Sequence, residues 1–281
     1  MIDYHLRYIN LDKMTLKIRP ILLVIVFFYS IQFTAQTKVI AHRGFSSVAP
    51  ENTLAAFQEA IDAGADYIEL DVHKTTDGKI YIIHDGFVGR TCSNNWKGNI
   101  SEMHSENVEK IRVGYPEKFG EQYKDEKIPT LEEVLKLAKG KIKVCIEIKI
   151  YNIEEEILKI VNEFDMKEEV IIFSFHFPVL TKIRHLDETI PILYIENTVD
   201  EITIGYAKLL NVFGVGVGYG TEVTKELLDF AHKNKIEIWK WTVDDEIEME
   251  QLVELGIDGL ITNNPDIAFG VIDENKIKKH E

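Results

Sequence analysis

Two acidic residues set two apart, Glu69 and Asp71, and a third set two from a lysine, Glu147 and Lys149, stand at the ends of apolar, β-branched runs. On a strand, a spacing of two puts both side chains on one face. Three carboxylates gathered in one mouth repel one another unless something neutralises them. A hard divalent cation with oxygen ligands does so, which points to Mg²⁺ or Ca²⁺ held by Glu69, Asp71 and Glu147. The competing reading is a set of ion pairs, with Arg43 and Lys149 as partners of the same carboxylates.

Two histidines end other runs: His42 in Ala41-His42-Arg43-Gly44, and His84 before Asp85. Histidine titrates near neutrality, so it can take a proton from an attacking oxygen or give one to a leaving oxygen, as cleavage of a phosphodiester requires. A lone histidine is more often structural. Two of them beside a carboxylate cluster are better read as an acid–base pair. Arg43, with its planar fork, and Lys149 can grip phosphate oxygens. His73 and His176 read as rim residues, and His104, His185 and His232 as surface. Trp241 shares strand parity with Trp239, so either one of them walls a pocket or both belong to the core.

Such residues meet only if strands carry them to one place. Strands are expected near Lys38–His42, Tyr67–Val72, Lys141–Lys149, Val170–Ser174, Ile190–Ile195, Val212–Gly216, Ile236–Thr242 and Asp258–Thr262. Helical patterns fill most of the gaps: Asn52–Ala63, Leu131–Ala138, Ile153–Phe164, Pro178–Leu186, Glu201–Leu210, Lys225–Asn234 and Glu246–Leu255. Eight strands joined by helices over about 245 residues match an α/β fold of the (β/α)8 TIM-barrel type, whose site lies at the C-terminal strand ends. An open doubly wound sheet is less suitable, because no Gly-rich dinucleotide fingerprint follows the first strand. One further strand, Lys79–His84, comes too soon after Val72 for a parallel crossover. It is expected to fold back as a hairpin through Thr76-Asp77-Gly78. The segment from Phe87 to Ile128 then forms a long, polar rim loop with aromatics at Trp96, Tyr115, Phe119 and Tyr123.

The chain has 281 residues, 45% of them hydrophobic, and a formal net charge of −15. That composition is globular with a sizeable core, and the charge argues against a nucleic-acid partner. Lys17 and Arg19 precede an apolar run from Ile21 to Phe33, followed by Thr34, Ala35 and Gln36. The run is shorter than the roughly 20 residues of a membrane-spanning helix. Residues 1–36 are therefore expected to be a secretory signal and 37–281 the mature domain, exported to the periplasm or the exterior without stable membrane insertion. An uncleaved anchor is the alternative, and no cysteine follows the run to carry a lipid. Cys92 and Cys145 have neither zinc-site nor nucleophile flanks, and a bridge between them is not expected.

The motifs His42-Arg43-Gly44, Pro50-Glu51-Asn52-Thr53, Glu69-Leu70-Asp71-Val72, Asp77-Gly78 and His84-Asp85 occur in this order. Glu147-Ile148-Lys149, Trp241-Thr242-Val243 and Asp258-Gly259-Leu260-Ile261-Thr262-Asn263 continue it, and the set resembles the glycerophosphodiester phosphodiesterases over about residues 38–270. The resemblance implies a TIM barrel that hydrolyses glycerophosphodiesters to glycerol 3-phosphate and an alcohol. It implies that Glu69, Asp71 and Glu147 hold the metal and that His42 and His84 are the acid–base pair. It further implies that Arg43 and Lys149 contact phosphate and that Trp241 lines the glycerol side. Glu51 matches a motif glutamate near the site. One departure is visible: His176 follows Ser174-Phe175 where the family more often has a small acidic or amide residue.

Overall fold

The structure is a computed structural model that describes residues 36–278. The expected signal in residues 1–36 lies almost wholly outside the described residues. The first apolar run forms β1 (Lys38–Ala41), and Thr53 caps α1 (Leu54–Asp62) by accepting a hydrogen bond from the Ala56 amide. β2 (Tyr67–Lys74) is followed by β3 (Ile80–Ile82), and the rim segment contributes β4 (Phe87–Val88), β5 (Gly98–Asn99), α2 (Ser105–Val108) and α3 (Pro116–Phe119). Alternation then resumes with α4 (Leu131–Ala138), β6 (Lys143–Ile148), α5 (Glu154–Glu163), β7 (Val170–Ser174), α6 (Phe177–Leu186) and β8 (Ile192–Glu196). It ends with α7 (Glu201–Leu209), β9 (Gly214–Val217), α8 (Lys225–Lys233), β10 (Glu237–Lys240), α9 (Glu246–Leu255), β11 (Gly259–Thr262) and α10 (Pro265–Lys278).

The strand order β1-β11-β10-β9-β8-β7-β6-β2, closed by β1 on β2, is an eight-stranded parallel barrel. β3 lies outside it, antiparallel on β2 with Val72 opposite Ile82. The barrel and its hairpin strand are therefore as the sequence predicts. The Asp77-Gly78 turn suits the hairpin because Gly78 takes a φ of +89°. Among the described residues no helix is long and apolar enough to cross a membrane.

Four strands that lead into the site stop short of expectation. β1 stops at Ala41, β3 at Ile82, β6 at Ile148 and β10 at Lys240, so His42, His84, Lys149 and Trp241 lie beyond their strands. Past the rim the chain must leave the ladder: Arg43 already has a φ of +57° and Gly44 one of +83°. α10 was not expected, because its apolar residues Ile267, Ala268, Phe269, Val271 and Ile272 do not repeat with one clean helical period. Pro265 at its first position was the available signal.

The barrel interior is filled by Ile40, Tyr67, Cys145, Ile171, Phe173, Leu193, Ile195, Trp239 and Ile261. Trp239 is their hub, with ring centroids 5.3 Å from Tyr67, 5.8 Å from Phe173 and 5.9 Å from Phe213. Gly259 makes room for it, since a Cβ there would stand 2.7 Å from the indole Cγ. Cys145 is buried in this interior and Cys92 is half-buried in the rim segment; both are free thiols.

The rim segment is not the open polar loop that its composition suggests. Val88, Ile100, Val108, Ile111, Val113 and Ile128 pack with Tyr81 and Ile83 of the hairpin into a second small core. Asp77 fastens it by accepting from the Ser105 amide at 2.9 Å and from its hydroxyl at 2.6 Å. Farther along, Lys118 donates to the Ser46 carbonyl at 2.6 Å and Tyr123 to the Val48 carbonyl at 3.2 Å. These polar side chains mask a cap that packs on the hairpin with its other face.

Emptying the barrel hub should be costly. Trp239→Ala is expected to lower unfolding stability by about 3–5 kcal/mol in denaturant titration. A loss under about 1 kcal/mol would mean that the ring is not the packing centre described.

Candidate active site

Register brings the carboxylates together. In the parallel pair β2·β6, Glu69 lies beside Cys145 and Asp71 beside Glu147, with Asp71 and Glu69 on one face of β2. One oxygen from each of Glu69, Asp71 and Glu147 lies within 4.8 Å of the others, and all three residues are buried. Lys149 reaches back over the strand end to Asp71 at 2.9 Å and Glu147 at 3.3 Å. Arg43 lies 3.5 Å from Asp71, and Asn52 donates to Asp71 Oδ2 at 2.8 Å. The ion pairs that competed with a metal in the sequence reading are thus present.

They do not neutralise the cluster. Two cations face three carboxylates, and Glu69 Oε1 is buried with no hydrogen-bond partner among the described residues, although its Oε2 accepts from the Arg43 amide at 2.9 Å. Burial, with Asp71 and Glu147 nearby, pushes the Glu69 carboxyl well above the usual range. Burial and then Asp71 raise Glu147 to about 7. Asp71 is instead held low by Lys149 and Arg43, against the opposing effect of its burial. An uncompensated oxygen-only cluster of this kind fits a hard divalent cation.

His42 and His84 follow β1 and the hairpin strand β3, both of which pair with β2. His42 follows β1, and its Nδ1 lies 2.9 Å from Asn263 Oδ1. That amide is oriented by its own Nδ2 bond to Asp244, and its oxygen also accepts from the Ser46 hydroxyl at 2.6 Å. Burial, then the charge of Arg43, lowers the His42 imidazole to about 4. His84 returns over β2 because the antiparallel register continues through Ile83, whose amide donates to the Asp71 carbonyl at 3.0 Å. Its Nδ1 lies 2.7 Å from Asp85 Oδ1.

The β1–α1 turn is built for close approach. Gly44 packs so tightly on α1 that a Cβ would stand 2.6 Å from the Ala56 carbonyl carbon. The Arg43 carbonyl accepts from the Asn52 amide at 2.9 Å, and Asn52 has a φ of +58°. Asn tolerates that left-handed conformation better than most residues. This pinch aims the Arg43 guanidinium at Asp71 and at Glu51, which lies 2.9 Å from Arg43 Nη1.

Both histidines, both cations, Glu69 and Glu147 border one cavity of about 150 Å³, whose lining is completed by Phe173, Phe175, Ile195, Trp241, Thr242 and Ile261. Polar groups form one wall and aromatics the other. Phe175 stands edge-on to Trp241 at 5.3 Å, and Trp241 Nε1 is buried without a partner among the described residues. Of the two tryptophans, Trp241 therefore walls the pocket and Trp239 belongs to the core. Among the sequence candidates, only Asp71 is not in the cavity wall; it lies beneath it. His73 is buried behind the site, 3.2 Å from the His84 carbonyl, and His176 caps α6 and stacks on Tyr151 at 4.7 Å.

Sequence reasoning assigned no role to Asn263, Asp244, Asp85 or Arg90, the partners that orient the first set. Asn263 and Asp85 stand within motifs that it singled out. Arg90 carries no signal of its own, because its partners Glu51 and Asp85 meet only in the fold.

The chain matches the model of the glycerophosphoryl diester phosphodiesterase family over residues 42–267. A glycerophosphodiester phosphodiesterase of Caldanaerobacter subterraneus is 37% identical over 245 residues, covering 84% of this chain and 98% of that protein. One from Bacillus altitudinis is 33% identical over 248 residues, covering 85% of this chain and all of the relative. Among solved structures, an Oleispira antarctica phosphodiesterase in complex with the product sn-glycerol-3-phosphate superposes with a TM-score of 0.76 at 25% identity, covering 85% of this chain and 97% of that one. The matched span, residues 42–267, contains seven of the eight barrel strands, both histidines and all three carboxylates, and the chain belongs to the glycerophosphodiester phosphodiesterase family, enzymes that hydrolyse glycerophosphodiesters.

Proposed function

We propose that this enzyme cleaves small glycerophosphodiesters to glycerol 3-phosphate and an alcohol by metal-dependent acid–base catalysis. The observation that carries this reading is the single cavity in which two histidines, two cations and an unbalanced carboxylate triad face an aromatic wall. Its volume of about 150 Å³ lies below the 300–1,000 Å³ typical of sites for drug-sized ligands, which favours a deacylated substrate over an intact lipid.

Glu69, Asp71 and Glu147 would hold the divalent cation, Mg²⁺ or Ca²⁺. When bound, it supplies Lewis-acid polarisation of a phosphoryl oxygen. Arg43 and Lys149, at the edge of the same carboxylates, contact the remaining phosphate oxygens. Trp241 and Phe175 wall the glycerol side, with Trp241 Nε1 free to donate to a hydroxyl.

His42 is the base. Its Nδ1–H is committed to Asn263 Oδ1, an assignment that follows from the Asn263 amide being fixed by Asp244. The lone pair on Nε2 is therefore free, and a ring held near 4 stays neutral at neutral pH. It takes the proton of the attacking oxygen, whether of water or of the substrate's own 2-hydroxyl. The donor role falls to His84 in its doubly protonated form, with Nδ1–H paired to Asp85 and the Nε2 proton delivered to the leaving alkoxide.

Each histidine should be worth roughly 10²–10⁴-fold in kcat. His42→Ala is expected to slow glycerophosphocholine and a 4-nitrophenyl glycerophosphodiester alike. His84→Ala should be far less harmful to the nitrophenyl ester, whose leaving group needs no proton. Full activity in both variants on glycerophosphocholine would remove the acid–base pair from the mechanism.

Chelation by EDTA should abolish turnover, and Mg²⁺ or Ca²⁺ should restore it. The same cation should raise the thermal midpoint of the wild type but not of Glu69→Gln, because binding to the native state stabilises it by mass action. Undiminished turnover after exhaustive chelation would count against the metal.

Residues 1–36, with their basic and then apolar order, are read as an export signal that places the mature enzyme in the periplasm or outside the cell. N-terminal sequencing of the protein from fractionated cells should find a new terminus near residue 37. An intact terminus in the cytoplasmic fraction would refute export, and one in the membrane fraction would indicate an anchor.

A further inference from the structure

We infer that Arg90, on the capping rim segment, is a positioning residue that aims Asp85 at His84 and so sets the proton donor. The planar guanidinium forks between two carboxylates. Its Nη1 and Nη2 donate to Glu51 Oε2 and Oε1 at 2.8 and 2.7 Å, while its Nε donates to Asp85 Oδ2 at 2.7 Å. The other oxygen of Asp85 lies 2.7 Å from His84 Nδ1. Glu51, in turn, is fixed to the barrel through Arg43. A continuous chain of charge-assisted contacts thus runs from the barrel, through Glu51 and Arg90, to Asp85 and His84.

Arg90 itself does not border the cavity, so it acts through its neighbours. Among the described residues, Asp85 has no other side-chain partner that would choose its rotamer. It also sits in a short link between β3 and β4 that no strand pairing restrains. Without Arg90, the carboxylate is free to swing away and release the His84 ring, whose backbone alone stays held by His73. Arg90 is 38% exposed at its side chain, and pairs that exposed add little to stability. Orientation is what the fork provides, since a rigid guanidinium holds both carboxylates at fixed angles where a lysine holds one.

The inference rests on His84 being the proton donor, and leaving-group dependence separates the two. Arg90→Gln is expected to lower kcat on glycerophosphocholine by about 10- to 100-fold, the scale of an ångström-level misplacement. It should lower kcat on the 4-nitrophenyl glycerophosphodiester by less than about threefold, with KM little changed. Asp85→Asn should show the same selectivity, and the double variant should be no slower than Asp85→Asn alone. Arg90→Lys, which keeps the charge but not the fork, should behave like Arg90→Gln; it also serves as the test should Arg90→Gln fail to fold. Equal losses on both esters in the Arg90 variants, with His84→Ala still selective, would overturn the inference and leave the donor assignment standing. Equal losses on both esters in His84→Ala would remove the donor assignment, and the inference with it.

Discussion

Glu69, Asp71 and Glu147 offer oxygens within 4.8 Å of one another at the mouth of a closed barrel. Carboxylates so close in a poorly solvated site cannot all stay ionised unless positive charge meets them. The surroundings are arranged around that demand. Lys149 bends back from the end of β6, Arg43 is turned inward by a left-handed backbone, and Asn52 donates to the Asp71 oxygen that Arg43 also faces. The compensation stops one charge short, and it leaves Glu69 Oε1 bare. In the proposed reaction the same cations that steady the floor also meet the phosphate oxygens. An enzyme with a strongly negative net charge can thereby hold an anion, because only the local field at the cavity decides.

The two histidines differ in what holds them. His42 leans on a neutral amide, Asn263, itself fixed by Asp244 and shared with Ser46. His84 leans on a carboxylate, Asp85. That contrast gives two chemically identical rings different partners, and it depends on second-layer groups from distant parts of the chain. The rim segment serves both. Lys118 and Tyr123 hold the turn that carries Ser46, while Arg90 meets Asp85. Its own small core, tied down by Asp77, gives these contacts a rigid base. The long insertion between β3 and α4 is therefore part of the active-site scaffold and more than a specificity loop.

Much of the fold and the principal site were legible in the sequence because they obey local periodicities. A spacing of two on a strand puts Glu69 with Asp71 wherever the strand goes. Alternating apolar strands and helices in this number close into a barrel, and barrels present their strand ends at one face. Composition misled at the rim segment, whose polar surface hides an apolar side packed against Tyr81 and Ile83. Periodicity failed at α10, which packs beside α9 and against β1 and β11 and has apolar residues on more than one side.

The sequence by itself determined which residue types end which strands, and hence the carboxylates, the histidines and the cations, because side-chain direction along a strand is set by its neighbours in the chain. The tertiary structure alone decided the rest. It chose Trp241 over Trp239 as the pocket wall, since that depends on where β10 leaves the ladder and on Gly259 making room for the deeper ring. It set Asn263 against His42 across 221 residues of chain, and Arg90 against Glu51 across 39. Contacts of that kind arise only when the barrel closes, because closure brings the first and last strands side by side, and no local pattern records a partner that distant.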